Sequence, residues 1–171
     1  MHKPLIVPFT NGGNTLIYGA SGSGKLAFLN QMLFSVIDKH SPEEVNIFIL
    51  DFDSGALSAF AEAPHIAAVA MSSDHEIIRE VFERIENELA QRRELFKRYG
   101  GDYQTYVKSS GKTIPNLILV INNFLAFTEE YPQGEDFVSK IAREGNKYGV
   151  FVVISALDSN SVRYRLVPLF S

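Results

Sequence analysis

The chain is 171 residues long, 46% hydrophobic and 21% charged, with a net charge of −4 and no cysteine. That length supports one core, and the composition excludes a disordered chain, so residues 1–171 read as a single domain. The acidic balance makes nucleic acid an unlikely partner, and the missing thiols exclude a disulfide frame or a thiolate metal centre, which suits a reducing cytosol. The apolar runs at 117–121 and 150–154 are too short to span a bilayer and the amino end lacks a signal-peptide pattern, so this piece reads as soluble by itself.

The first predicted element is a strand over residues 14–18, followed by Gly19-Ala20-Ser21-Gly22-Ser23-Gly24-Lys25 and a helical run over 26–37. A glycine-rich loop between a strand and a helix turns its amide hydrogens inward around a phosphate, and the helix adds its positive amino end. Lys25 supplies a cation for the outer phosphates. The next position is Leu26, where a magnesium-dependent enzyme places a Ser or Thr hydroxyl on the metal. Leucine cannot fill that role.

Strands are predicted over 46–52 and 65–71. Asp51 and Asp53 either finish the first of these or water-bridge a cation in the crevice beyond it. His65 follows Pro64 without Cys, His or carboxylate companions at metal spacing, so it reads as a packing or hydrogen-bonding residue, and no metal site is assigned.

A long helix follows, with Ile77, Ile78, Val81, Phe82, Ile85, Leu89 and Phe96 on one face and Ser73 with Glu76 as a capping box at its start. Its other face carries Arg79, Glu80, Glu83, Arg84, Glu86, Glu88, Arg92 and Arg93. That face reads as solvated and laced with side-chain pairs, or else Arg92 or Arg93 reaches a neighbouring subunit's phosphates. Gly100-Gly101-Asp102 ends the helix, and Ser109-Ser110-Gly111-Lys112 reads as a loop before Pro115.

The fourth strand, 116–122, runs through Leu117-Ile118-Leu119-Val120-Ile121 into Asn122-Asn123. In P-loop enzymes this strand ends in carboxylates that hold the metal and prepare the attacking water. An amide orients water but neither holds magnesium nor removes a proton, and losing one base costs a factor of about 100 to 10,000 in rate. A fifth strand over 150–155 ends in Ser155, with Asp158 just beyond; these two either finish the strand or sense a terminal phosphate. Five mostly continuous apolar strands alternating with helices predict an α/β fold, a P-loop NTPase of RecA/FtsK type, with a mostly parallel sheet covered on both faces.

Taken in order, Gly19 to Lys25, Ile49-Leu50-Asp51-Phe52-Asp53-Ser54-Gly55-Ala56-Leu57, Ala63-Pro64-His65-Ile66, Arg92-Arg93-Glu94-Leu95-Phe96 and the 148–155 segment resemble the EssC/EccC-type ATPases. These are FtsK/SpoIIIE-family motor proteins of the bacterial type VII (ESX) secretion system. The likeness covers nearly the whole chain and is greatest to the second of their three tandem ATPase modules. It implies a module of a larger membrane-anchored translocase at the cytoplasmic face of the cell membrane. Its implied partners are sister modules of the same chain, other subunits of a secretion complex, and small helical-hairpin substrates. It also implies closing strands past Ser171, so the chain reads as an excised, C-terminally incomplete module. Leu26, Asn122, Asn123 and Leu157 depart from active members.

Three functions follow as expectations: a degenerate module holding ATP without well-held magnesium and hydrolysing it slowly or not at all; an interaction module for a secretion-signal peptide or a sister module; and an active DNA-translocating ATPase, which the acidic charge and the Asn122-Asn123 pair disfavour.

Overall fold

A computed structural model describes residues 13–20 and 22–170; Ser21 of the glycine loop lies outside them. Five parallel strands form one sheet: β1 (Thr15–Tyr18), β2 (Val45–Asp51), β3 (Ile66–Met71), β4 (Asn116–Asn122) and β5 (Val150–Ala156), in the spatial order β1-β5-β4-β2-β3. Every predicted strand is present, within one residue of its expected ends.

Alternation along the strands divides the core in two. On one face Ile47, Ile49, Ile118, Val120 and Val153 pack against helix α1 (Lys25–Lys39) through Leu29, Met32, Leu33 and Val36. On the other, Phe48, Leu50, Leu119, Ile121, Val152 and Ile154 meet α2 (His75–Phe96) through Ile78, Val81, Ile85 and Leu89. Both faces of β4 and β5 are buried, which is why their sequences are continuous apolar runs.

Among the described residues three further α-helices follow: α3 (Tyr103–Ser110), α4 (Phe124–Glu130) and α5 (Gly134–Glu144). Ser109 and Ser110 therefore belong to the last turn of α3, not to a loop. Tyr106 holds that helix in place by stacking on Phe96, with ring centroids 4.8 Å apart.

Two expectations for α2 are corrected. The residue preceding its first turn is Asp74, not Ser73, and no side chain caps the helix amides; the Asp74 carboxylate instead accepts from the Met71 amide at 2.8 Å, closing the turn out of β3. Arg92 is not on a solvated face. It is 1% exposed, and its guanidinium donates to Glu88, to the Tyr148 carbonyl and to the Pro115 carbonyl. A guanidinium spent on two backbone carbonyls cannot reach a neighbour's phosphate. Arg93 is half exposed and pairs with Glu144 at 3.3 Å.

Candidate functional site

The carboxyl ends of β1, β5, β4 and β2 converge, and a cleft of about 420 Å³ opens above them. Among the predicted loop residues, Ala20, Gly22, Gly24, Lys25 and Leu26 line it, facing Asp53, Asn122, Asn123, Ser155 and Leu157. A crevice outside the carboxyl ends of parallel strands is where α/β sheets bind ligands.

The loop's shape comes from its glycines. Gly22 and Gly24 have φ of +80° and +95°, and a Cβ at either would meet no atom within 4 Å. The constraint there is conformational rather than steric crowding. Gly24 also opens α1, whose first amides no side chain caps, so the positive end of a 15-residue helix is presented to the cleft. Gly19 and Ser23 serve the loop itself. The Gly19 amide donates to the Ala156 carbonyl at 3.1 Å, the Ser23 amide donates to the Ala20 carbonyl at 3.0 Å, and the Lys25 ammonium rests on the Gly19 carbonyl. Lys25 is thus folded back along its own loop, and an incoming phosphate exchanges that neutral acceptor for a charged one.

The floor is a hydrogen-bonded row across three strand ends. Asp51, 2% exposed, accepts from the Asp53 amide at 3.0 Å, the Leu57 amide at 3.1 Å and the Asn122 side-chain amide at 3.1 Å. Asn122 Oδ1 accepts from the Ser155 hydroxyl at 2.7 Å, and that hydroxyl accepts from the Asn123 amide at 2.9 Å. Register sets the row up, because Asp51 pairs directly with Asn122 and Ile121 with Ile154. Asp51 is therefore committed to the backbone of its own turn. Asp53 is exposed at the cleft rim.

Asn123 stands apart as the one non-glycine residue with positive φ among the described residues, at 66°. Its side-chain oxygen accepts from the Ala126 amide at 3.2 Å and so caps α4. Its preference for the left-handed region explains why an Asn suits this strand-to-helix turn. Asp158 likewise caps a local turn, accepting from the Asn160 and Ser161 amides, and is not among the residues that line the cleft. His65 is buried and bonded to the His40 carbonyl, as a hydrogen-bonding residue should be. The α4 cap and the Asp51 turn escaped sequence reasoning, although an Asn directly after a buried strand is itself a capping signal.

A magnesium ion is implied by P-loop chemistry, and the donor set does not fit it. The position that should offer a hydroxyl is Leu26, and the ends of β4 offer two amides whose oxygens are already engaged by Ser155 and the Ala126 amide. Among the described residues no group of three His, Cys, Asp or Glu side chains could hold a metal.

A parallel sheet in this order, a glycine loop running from β1 into α1, and a cleft at the strand ends together define the P-loop ATPase class. The chain belongs to the FtsK/SpoIIIE family, whose sequence profile matches residues 1–170. It is 26% identical over 166 residues to the type VII secretion system protein EssC of Staphylococcus aureus, covering 94% of this chain and 11% of that protein. It is 31% identical over 151 residues to the ESX secretion system protein EccC of Thermomonospora curvata, covering 84% of this chain and 12% of that one. A solved structure of ATPases 2 and 3 of T. curvata EccC, in complex with a signal sequence peptide, superposes with a TM-score of 0.85 at 29% identity, over 91% of this chain and 29% of that chain. The chain thus spans about a ninth of the curated relatives' length. Among the described residues no helix is long and apolar enough to cross a membrane.

Proposed function

We propose that this chain is an ATP-binding module of a type VII secretion translocase that grips the polyphosphate without a well-held magnesium ion and hydrolyses it weakly or not at all. The observation that carries the reading is the pairing of an intact cradle with a β4 end whose two amides are both committed to neighbouring groups. Gly22, Gly24 and Lys25 hold the phosphates, Leu26 and Leu157 close the walls with apolar surface, and Ser155 stands at the floor. Such a module serves assembly, regulation or substrate recognition beside sister modules of a longer chain at the cytoplasmic face of the membrane. Residues 1–171 are then one module of that chain.

The test is calorimetric titration with ATP in magnesium and in EDTA, repeated on Lys25→Ala. Binding in both buffers, weakened at least about tenfold by the substitution, is expected for loss of one charge-assisted contact. Absence of binding at millimolar ATP rejects the reading.

A second reading is favoured by a second cavity and by the peptide in the EccC structure. About 560 Å³ opens between the start of α2 and the turn joining α4 to α5, walled by Phe82, Phe137 and Tyr131 and rimmed by His75, Arg79 and Glu130. A secretion-signal peptide with an apolar anchor fits that chemistry. Titration with the carboxy-terminal segment of a cognate substrate decides it, and absence of binding removes it.

A further inference from the structure

We infer that the cleft recognises the phosphate chain of its ligand and not the base, so that it takes purine and pyrimidine nucleoside triphosphates alike. This rests on, and deepens, the nucleotide reading given above. A protein tells one base from another by setting donor and acceptor groups against its edge, in a pocket shaped to its outline. A site built that way rejects the wrong base strongly, because its own polar groups are then left unpaired. Apolar contact separates ligands of similar size only weakly. Selectivity therefore depends on which polar groups the cleft leaves uncommitted.

The lining comes from four strand ends, and among the described residues it contains no aromatic ring. Two of its side chains are amides, the group that reads adenine by presenting a donor and an acceptor together. Neither can present that pair here. Asn122 donates to Asp51 and accepts from the Ser155 hydroxyl, and Asn123 accepts from the Ala126 amide. Ser54 likewise accepts from the Ala56 amide, at 3.3 Å. The walls are apolar, formed by Leu26 and by Leu157, which is 43% exposed. Asp53 is left as an exposed acceptor at the rim, yet adenine, guanine and cytosine each carry an amino group that would satisfy it.

The attraction, by contrast, is concentrated at one place. Gly22 and Gly24 bend the loop ahead of the uncapped amino end of α1. The Lys25 ammonium lies on the same loop, resting on a neutral carbonyl that a phosphate oxygen outcompetes. Charge and helix amides thus meet the phosphates, while the base adds only contact area that every base offers.

The test is a calorimetric ligand series on the whole chain in EDTA, with ATP, GTP, CTP, AMP and inorganic tripolyphosphate, repeated on Lys25→Ala. The three nucleoside triphosphates should bind within about threefold of one another, and AMP at least about a hundredfold more weakly. Tripolyphosphate should compete with ATP, and Lys25→Ala should weaken ATP, GTP and CTP by the same factor. A preference of about tenfold or more for ATP over GTP and CTP overturns this inference and leaves the nucleotide reading in place, as does AMP binding as tightly as ATP. Tripolyphosphate binding without any nucleotide binding does the reverse, because the phosphate grip then stands and the nucleotide does not. Absence of binding by every ligand at millimolar concentration overturns both. If Lys25→Ala fails to fold, the wild-type series decides by itself.

Discussion

Arg92 donates to the Tyr148 carbonyl at 2.8 Å and also to the Pro115 carbonyl, and so ties the far end of α2 to the segments that lead into β5 and β4. Burial pushes the guanidinium below its ordinary value, and the Glu88 carboxylate opposes that shift through a 3.0 Å hydrogen bond. The side chain also lies about 6.0 Å from the Tyr103 ring centroid. Truncation to Ala leaves two carbonyls unpaired and a void beside Tyr103, so Arg92→Ala should lose about 3 kcal/mol in urea unfolding. Arg92→Lys, which keeps the charge but not the fork, should lose a smaller part. Arg92 does not line the cleft, so folded Arg92→Lys should bind ATP as wild type does.

The same arginine shows where the sequence is legible and where it is not. Strand positions follow from continuous apolar runs, and the glycine loop follows from spacing, so the sheet and the strand-to-helix loop could be read in advance. Arg92 sits among seven other charged residues at helical spacing, and nothing local distinguishes the one that turns inward. Its partners are carbonyls 23 and 56 residues away in the chain. The floor of the site has the same character. That Asn122 and Asn123 follow the apolar run of β4 is visible in the sequence, whereas the bond from Asn122 to Asp51 spans 71 residues and depends on strand order. Short helices such as α4, seven residues long, have too few turns to show a period.

Asp102 gives a pH-dependent cap. Its carboxylate accepts from the Thr105 amide at 2.8 Å and from the Thr105 hydroxyl at 3.0 Å, and these bonds, the amide's first, hold its carboxyl below the usual value of 3.8. A depressed carboxyl contributes stability that is full above the unfolded-state value and is lost as pH falls through the folded one. Asp102→Ala should therefore cost about 1 kcal/mol at neutral pH. The gap to wild type should narrow as the pH is lowered through the unfolded-state value of the carboxyl and below it, as the cap becomes protonated. Thermal unfolding of the two proteins across that range measures it, and a constant gap contradicts the assignment.

Asn123 carries two local demands that a catalytic glutamate would not meet. It holds φ at 66° and caps α4 through the Ala126 amide. Asn123→Glu places a longer side chain in the left-handed region and loses the cap, each worth about 1 kcal/mol, for a combined loss of about 2 kcal/mol. Asn123→Asp keeps both features and should be close to neutral. Neither should raise phosphate release from ATP, because Leu26 and the Asn122 amide remain, and a coupled phosphate assay checks this. A clear gain of turnover in Asn123→Glu would show that the β4 end needs only a base.

Gly24 permits the conformational and the functional parts of the loop to be separated. At φ +95°, with open space around a built Cβ, Gly24→Ala is strained by about 1–2 kcal/mol without any clash. Gly101 has φ +86° and equally open surroundings, but it closes the end of α2 by donating to the Phe96 carbonyl, away from the cleft. The two alanine variants should therefore lose similar stability in urea. Only Gly24→Ala should also weaken ATP binding, by about tenfold, because the strain rotates the amides that begin α1. Equal affinity in both variants would mean that those amides do not face the phosphates, and the grip would then rest on Lys25 alone.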